Sequence, residues 1–144
     1  FKMIEVKGMK FAWGFDEDKL TCKLSAPASG WLAVGFNTEK GLAGTNLVMA
    51  AVEKGRPEIS DRYILGAGDH RDVVSLGGTP AATLLEGQET ATHTSVHFEI
   101  NLAASDQWHH VLEEGSTIHL LLAYSQEDDF QHHSVMREHL EITL

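Results

Sequence analysis

The stretch Thr94-Ser95-Val96-His97-Phe98-Glu99-Ile100 alternates apolar and polar side chains with a period of two. That period sends Thr94, Val96, Phe98 and Ile100 to one face and Ser95, His97 and Glu99 to the other, as in a half-buried strand. Upstream, Gly30-Trp31-Leu32-Ala33-Val34-Gly35-Phe36 is a nearly continuous apolar run. A strand covered on both faces reads this way, and its two glycines leave room for something to approach the backbone closely. Asn46 to Val52 and Ser116 to Tyr124 read alike. Met9 to Phe15 and Lys19 to Ala26 make a hairpin about Asp16-Glu17-Asp18, Glu58 to Leu65 follows the turn at Glu53 to Arg56, and Glu138 to Leu144 closes the chain. Only Leu102 to Glu114 offers a turn or short helix. Seven or more short strands joined by Gly- and Asp-bearing turns predict an all-β chain, an antiparallel sandwich of immunoglobulin-like class forming one domain over residues 1–144.

Composition narrows the function. The chain has 144 residues and a formal charge of −10, which argues against a nucleic-acid partner because phosphate binding needs clustered Lys and Arg. No apolar run approaches the roughly 20 residues of a membrane span. The lone cysteine, Cys22, excludes an internal disulfide, a thiolate-rich metal site and C-x-x-C-H haem attachment. It lies in the alternating Leu20-Thr21-Cys22-Lys23-Leu24 and reads as a buried strand position. The first residue is Phe1, consistent with a processed, exported chain, periplasmic or extracellular. Nucleophile-elbow, phosphate-loop and H-E-x-x-H motifs are absent, and Gly77-Gly78 lacks the strand–helix setting of a dinucleotide site.

Nine histidines remain to be placed. His93 and His97 are about 13 Å apart along a strand and cannot share an ion. His109-His110 sits in the possible turn, where adjacent side chains point apart, and His119 within an apolar strand reads as a hydrogen-bonded core residue. His132-His133 ends the acidic loop Glu127-Asp128-Asp129-Phe130-Gln131, just before the last strand, a junction suited to a metal or haem ligand. Gly68-Asp69-His70-Arg71-Asp72, in the long connection Gly66 to Ala81, is a second place where one His and two carboxylates could meet an ion, or where Asp-to-backbone hydrogen bonds build a turn. Asn37 to Thr45 and Ser125 to Met136 are the other long connections, and such loops commonly carry function.

Gly30 to Asn37, then Leu42-Ala43-Gly44-Thr45-Asn46-Leu47-Val48-Met49-Ala50, then Ile59-Ser60-Asp61-Arg62-Tyr63 resemble the central block of DOMON domains. The ending, from Asp128 through His132-His133-Ser134 and Arg137 to Leu144, resembles the end of that family. The family includes the cytochrome domain of cellobiose dehydrogenase and the haem subunit of ethylbenzene dehydrogenase. The resemblance implies a DOMON-like β-sandwich holding b-type haem or a sugar-like ligand, commonly in exported electron-transfer proteins. It implies a histidine ligand at His133, with His132 and His139 as alternatives in register. The methionine that haem-binding members use falls on Leu42, which cannot ligate iron, so His70 becomes the candidate second ligand, or the iron is five-coordinate. Trp31, Phe36, Leu42 and Met49 would be apolar haem contacts.

Three functions follow as expectations: a noncovalent haem b electron-transfer domain with a redox partner protein, a non-redox module for a carbohydrate or other small ligand, and a metal-binding or interaction accessory domain. An independent enzyme is the least supported class.

Overall fold

The computed structural model describes residues 1–144. Eleven strands follow in order: β1 (Lys2–Val6), β2 (Met9–Asp16), β3 (Lys19–Ala26), β4 (Leu32–Asn37), β5 (Asn46–Glu53), β6 (Arg56–Gly66), β7 (Asp69–Asp72), β8 (Ala82–Glu89), β9 (Thr94–Asn101), β10 (Thr117–Tyr124) and β11 (Met136–Thr143). They form two antiparallel sheets, β1-β2-β3-β9-β8 and β11-β10-β4-β5-β6-β7. The β-sandwich expected from strand periodicity is the architecture observed. The turn at Lys7-Gly8 and the hairpin turn at Glu17 use positive φ, which lets a short loop match the strands' twist.

Between the sheets, inward residues of both layers make one core. Phe11 stacks on Trp13 at 5.3 Å and meets Phe36 edge-on at 6.2 Å, joining β2 to β4 across the sandwich. Leu24, Val96 and Phe98 from one sheet face Val34, Val48 and Leu122 from the other. Full burial of each such side chain is worth roughly 1.5–3 kcal/mol.

The six-stranded sheet has a second apolar layer. In β4, β5 and β10 the alternate residues Ala33, Leu47, Met49, Ala51, Leu121 and Ala123 pack outside the sandwich with Trp31 and Ile64. This is why those strands read as unbroken apolar runs.

Several expectations need correction. Leu102 to Glu114 supplies the expected turn, at Gln107-Trp108, but no helix; the one helical turn is the 3-10 segment Val73–Leu76, capped by Asp72, which accepts from the Val74 N–H at 2.8 Å. The connection Gly66 to Ala81 contains an edge strand, β7. His119 is not a core residue: its neighbours Ile118 and Leu120 point inward, so it points outward, partly exposed, 3.8 Å from Glu141. The room beside Gly30 and Gly35 is filled by the chain itself. A Cβ on Gly30 would lie 2.2 Å from the Glu127 backbone, and one on Gly35 would lie 2.5 Å from Thr45 Cγ2.

Candidate functional site

The outer apolar layer of the six-stranded sheet is the floor of a cavity of about 150 Å³. Its position follows from alternation: inward residues build the core, so their neighbours Trp31, Ala33, Leu47, Met49, Leu121 and Ala123 must find other cover. That cover comes from the loop Asn37 to Thr45 and from the segment Ser125 to Val135. The latter is fixed by backbone pairs: Gly30 N–H donates to Ser125 O at 3.0 Å, Trp31 N–H to Glu127 O at 3.0 Å, and Ser125 N–H to Trp31 O at 2.9 Å. Trp31 also donates from Nε1 to His132 O at 3.3 Å. The indole thereby holds the histidine-bearing segment against the sheet.

Of the residues singled out in the sequence, Trp31, Leu42, Met49, His70 and His133 all line this cavity, as does His132. Phe36 does not. It stands five residues from Trp31, an odd separation, and therefore lies on the opposite face, buried between the sheets. His139 lies on β11 and faces a separate shallow cavity with Lys40, His119 and Glu141.

His70 is held rather than free. Arg62 donates from Nε to His70 Nδ1 at 2.8 Å and from Nη2 to the His70 carbonyl at 3.3 Å. Burial lowers the His70 pKa below the usual histidine value, and the Arg62 charge lowers it further, with Asp69 opposing both. A neutral imidazole that accepts at Nδ1 carries its proton on Nε2. The ion site considered at Asp69-His70-Arg71-Asp72 is instead a paired strand: Asp69 accepts from Arg71 at 3.2 Å, and Asp72 caps the helical turn. No group of three or more His, Cys, Asp or Glu side chains is arranged to hold a metal ion.

Behind the cavity the loop is strongly acidic. Burial raises the Asp128 pKa above the usual carboxylate range, and repulsion from Glu89, Glu53, Glu127 and Glu58 adds to it. Phe130 turns from this loop onto the outer apolar layer.

The sequence reading missed a buried network. His109 Nε2 lies 2.7 Å from Asp61 Oδ2, and its Nδ1 lies 2.6 Å from Asp106 Oδ1. Both ring nitrogens face carboxylate oxygens, so both donate, which requires the imidazolium. Burial works against that charge, but hydrogen bonds and attraction from Asp61 and then Asp106 outweigh it and raise the pKa. Asp61 also accepts from Asn46 Nδ2 at 2.6 Å and the Ala81 N–H at 2.7 Å, while Asp106 accepts from the N–H groups of Trp108 and Thr79. Next to it, His110 Nε2 lies 2.7 Å from Gly44 O, tethering the loop that carries Leu42. Asp61 and His109 are 48 residues apart, and no local pattern links them.

Comparison with known proteins agrees with this architecture. The chain is 29% identical over 119 residues to MOXD1 homolog 2 of Drosophila melanogaster, covering 83% of this chain and 15% of that protein. It is 26% identical over 119 residues to DBH-like monooxygenase protein 1 of Gallus gallus, covering 83% and 19%. The chain thus spans less than a fifth of the curated relatives it matches. Among solved structures, the cytochrome b domain of pyranose dehydrogenase from Coprinopsis cinerea superposes with a TM-score of 0.71 at 12% identity, covering 94% of this chain and 75% of that one. The cytochrome domain of Myriococcum thermophilum cellobiose dehydrogenase also gives 0.71, at 14% identity, covering 99% and 81%. These likenesses establish a shared fold. The DOMON domain family model matches residues 5–125, and with that span of agreement the chain belongs to the DOMON domain family.

Proposed function

We propose that this domain binds b-type haem noncovalently in the outer-face cavity and relays single electrons to a redox partner protein in an exported assembly. The observation that carries the reading is the meeting of three imidazoles, His133, His132 and His70, and the Met49 side chain at one apolar floor. Imidazole and thioether are iron donors, and Trp31, Leu47 and Leu121 supply walls of low polarity. The two solved cytochrome domains that superpose on this chain share its fold and support the same reading. When bound, the group supplies a centre that gains and loses one electron. The chain's own part is to present His133 from the segment before β11, to exclude water with Trp31 and Leu121, and to place the Arg137 charge at the cavity wall.

The donor chemistry fits haem, and the space must be enlarged. A cavity of about 150 Å³ lies below the roughly 300–1,000 Å³ of sites for cofactor-sized ligands. Uptake therefore requires the segment Ser125 to Val135 to swing away from Trp31, breaking the Trp31–His132 hydrogen bond. Leu42 offers no donor, and ligation through His70 Nε2 needs its proton moved to Nδ1 and Arg62 released. The rings of His132 and His133 carry no such tether, but the His132 carbonyl accepts from Trp31 Nε1, so the reading favours five-coordinate iron with His133 as its ligand.

The test is a haemin titration of the purified chain followed by absorption spectra before and after dithionite. A Soret band that saturates near one equivalent supports the proposal. His133→Ala should weaken uptake at least tenfold, about 1.4 kcal/mol, whereas His93→Ala leaves it unchanged. A second reading is favoured by the small cavity and by Leu42: a small apolar ligand held by an accessory domain of a monooxygenase-like chain. No spectral change on titration, for native protein and variants alike, would leave that second reading in place.

A further inference from the structure

The cavity on the outer face of the six-stranded sheet, as it stands, suits a ligand much smaller than haem. Strand register lays Ala123, Ala33 and Met49 across its floor on one rung, with Leu121 and Leu47 beside them. Leu42 and Phe130 pack over the same apolar layer. The two alanines leave a flat surface between the larger side chains. The volume is about 150 Å³, and an apolar cavity of roughly that size holds one benzene ring. A ring laid there meets the Trp31 indole and the Met49 sulfur, both favourable partners for an aromatic group.

The polar groups at the wall are mainly donors without an acceptor. Arg62 donates from Nε to His70 Nδ1 at 2.8 Å, which leaves the imidazole proton on Nε2. The tether is anchored in turn: Arg62 Nη1 donates to Ser60 Oγ at 3.2 Å, and that hydroxyl donates to Asp72 Oδ2 at 3.3 Å. His70 is thus held as a donor. At the opposite edge of the sheet, Arg137 on β11 and Ser134 just before it line the same cavity. Arg137 takes part in none of the chain's salt bridges. Two acceptors at the wall are already in use. Asp69 accepts from Arg71 Nε at 3.2 Å, and the His132 carbonyl accepts from the Trp31 indole at 3.3 Å. The acidic side chains of Glu127, Asp128 and Asp129 line a separate recess, beyond Arg62, with Glu53 and Glu58.

We propose that this cavity binds a single-ring aromatic acid bearing a second oxygen at the far end of the ring. Its carboxylate meets Arg137 and Ser134, and the far oxygen accepts from His70 Nε2. The inference rests on the small-ligand reading given above, whose apolar ligand it makes an acid, and it requires no haem. A purely apolar ring leaves Arg137 and the His70 N–H unmatched, and an aromatic amine sets its charge against that of Arg137. Arg62 is a positioning residue here: it acts by deciding which imidazole nitrogen carries the proton.

The test follows the Met49 methyl resonance of the 144-residue chain by NMR, assigned with Met49→Leu, during titration with 4-hydroxybenzoate, benzoate and 4-methylphenol. 4-Hydroxybenzoate should bind with a Kd of about 0.1–1 mM. Benzoate, lacking the far oxygen, should bind about fivefold more weakly, and 4-methylphenol, lacking the charge, about tenfold or more. Arg137→Gln, at an exposed position, should weaken 4-hydroxybenzoate about tenfold and leave 4-methylphenol unchanged. Arg62→Met should bring 4-hydroxybenzoate within about twofold of benzoate, a loss of selectivity that a merely structural role would not produce. Binding of 4-methylphenol as tight as that of 4-hydroxybenzoate would overturn the acid and leave the small-ligand reading standing. No shift of the Met49 methyl with any of the three at about 10 mM would overturn both.

Discussion

Replacing His109 by glutamine removes the cation from between two carboxylates. The Asp61 side chain is 1% exposed and that of His109 2%, so water cannot take over the lost partner at Asp61. Asp106 is 21% exposed and is partly rescued by solvent. Removing one member of a buried ion pair costs about 3–5 kcal/mol, a large part of the 5–15 kcal/mol stability of an ordinary domain. At roughly 2–4 °C per kcal/mol for a chain near this size, the melting temperature should fall by about 6–20 °C. Calorimetric melts of native and variant protein at pH 6 measure this directly. The native curve should also depend on pH in a defined sense. His109 has a raised folded pKa, so its contribution is complete below the unfolded value near 6.5 and is lost as pH rises through the folded value. Native stability should therefore decline as pH rises above about 6.5, and that decline should be missing from His109→Gln. A variant melting within about 2 °C of native protein, with the same pH slope, would refute the charged bridge.

Gly30→Ala should push the Glu127 backbone off the sheet, because the added Cβ has only 2.2 Å of room. Limited proteolysis should then cut between residues 125 and 135, where native protein resists. The Cys22 thiol is fully buried and its pKa is pushed far up by burial, so a thiol reagent should label it only at the rate of global unfolding. Fast labelling of native protein would contradict that. Leu42→Met should cost less than about 1.5 kcal/mol, being nearly volume-conserving. In the haem reading it should supply a sixth ligand and raise the reduction potential, measured by redox titration.

The central strands were legible because their chemistry repeats at the spacing of the pleat. Thr94 to Ile100 needs only period two to declare its buried face, and every second residue there is buried as expected. The runs in β4 and β5 declared burial on both faces but not which residue serves which face, so Phe36 was grouped with Trp31. Edge strands were harder to read. β8 is mostly exposed and broken by a bulge, and β7 is four residues long, so neither shows a periodic apolar set. At the candidate site, His133, His70, Trp31, Leu42 and Met49 were picked out by motif and loop position, and all five line one cavity. The Arg62 tether on His70 and the Asp61–His109–Asp106 bridge depend on contacts between distant segments, which spacing along a chain does not encode.

The two-sided β4–β5–β10 wall has a consequence for how such a domain diversifies. Neighbouring residues along one strand answer to different masters: Leu32, Val34 and Phe36 to folding, Trp31 and Ala33 to whatever occupies the cavity. Exchanging Met49, Leu121 or Leu42 reshapes the outer chamber while the inner layer keeps its packing. One scaffold can thus change the shape of its outer chamber by substitutions on one surface of a sheet, while the layer between the sheets keeps its packing.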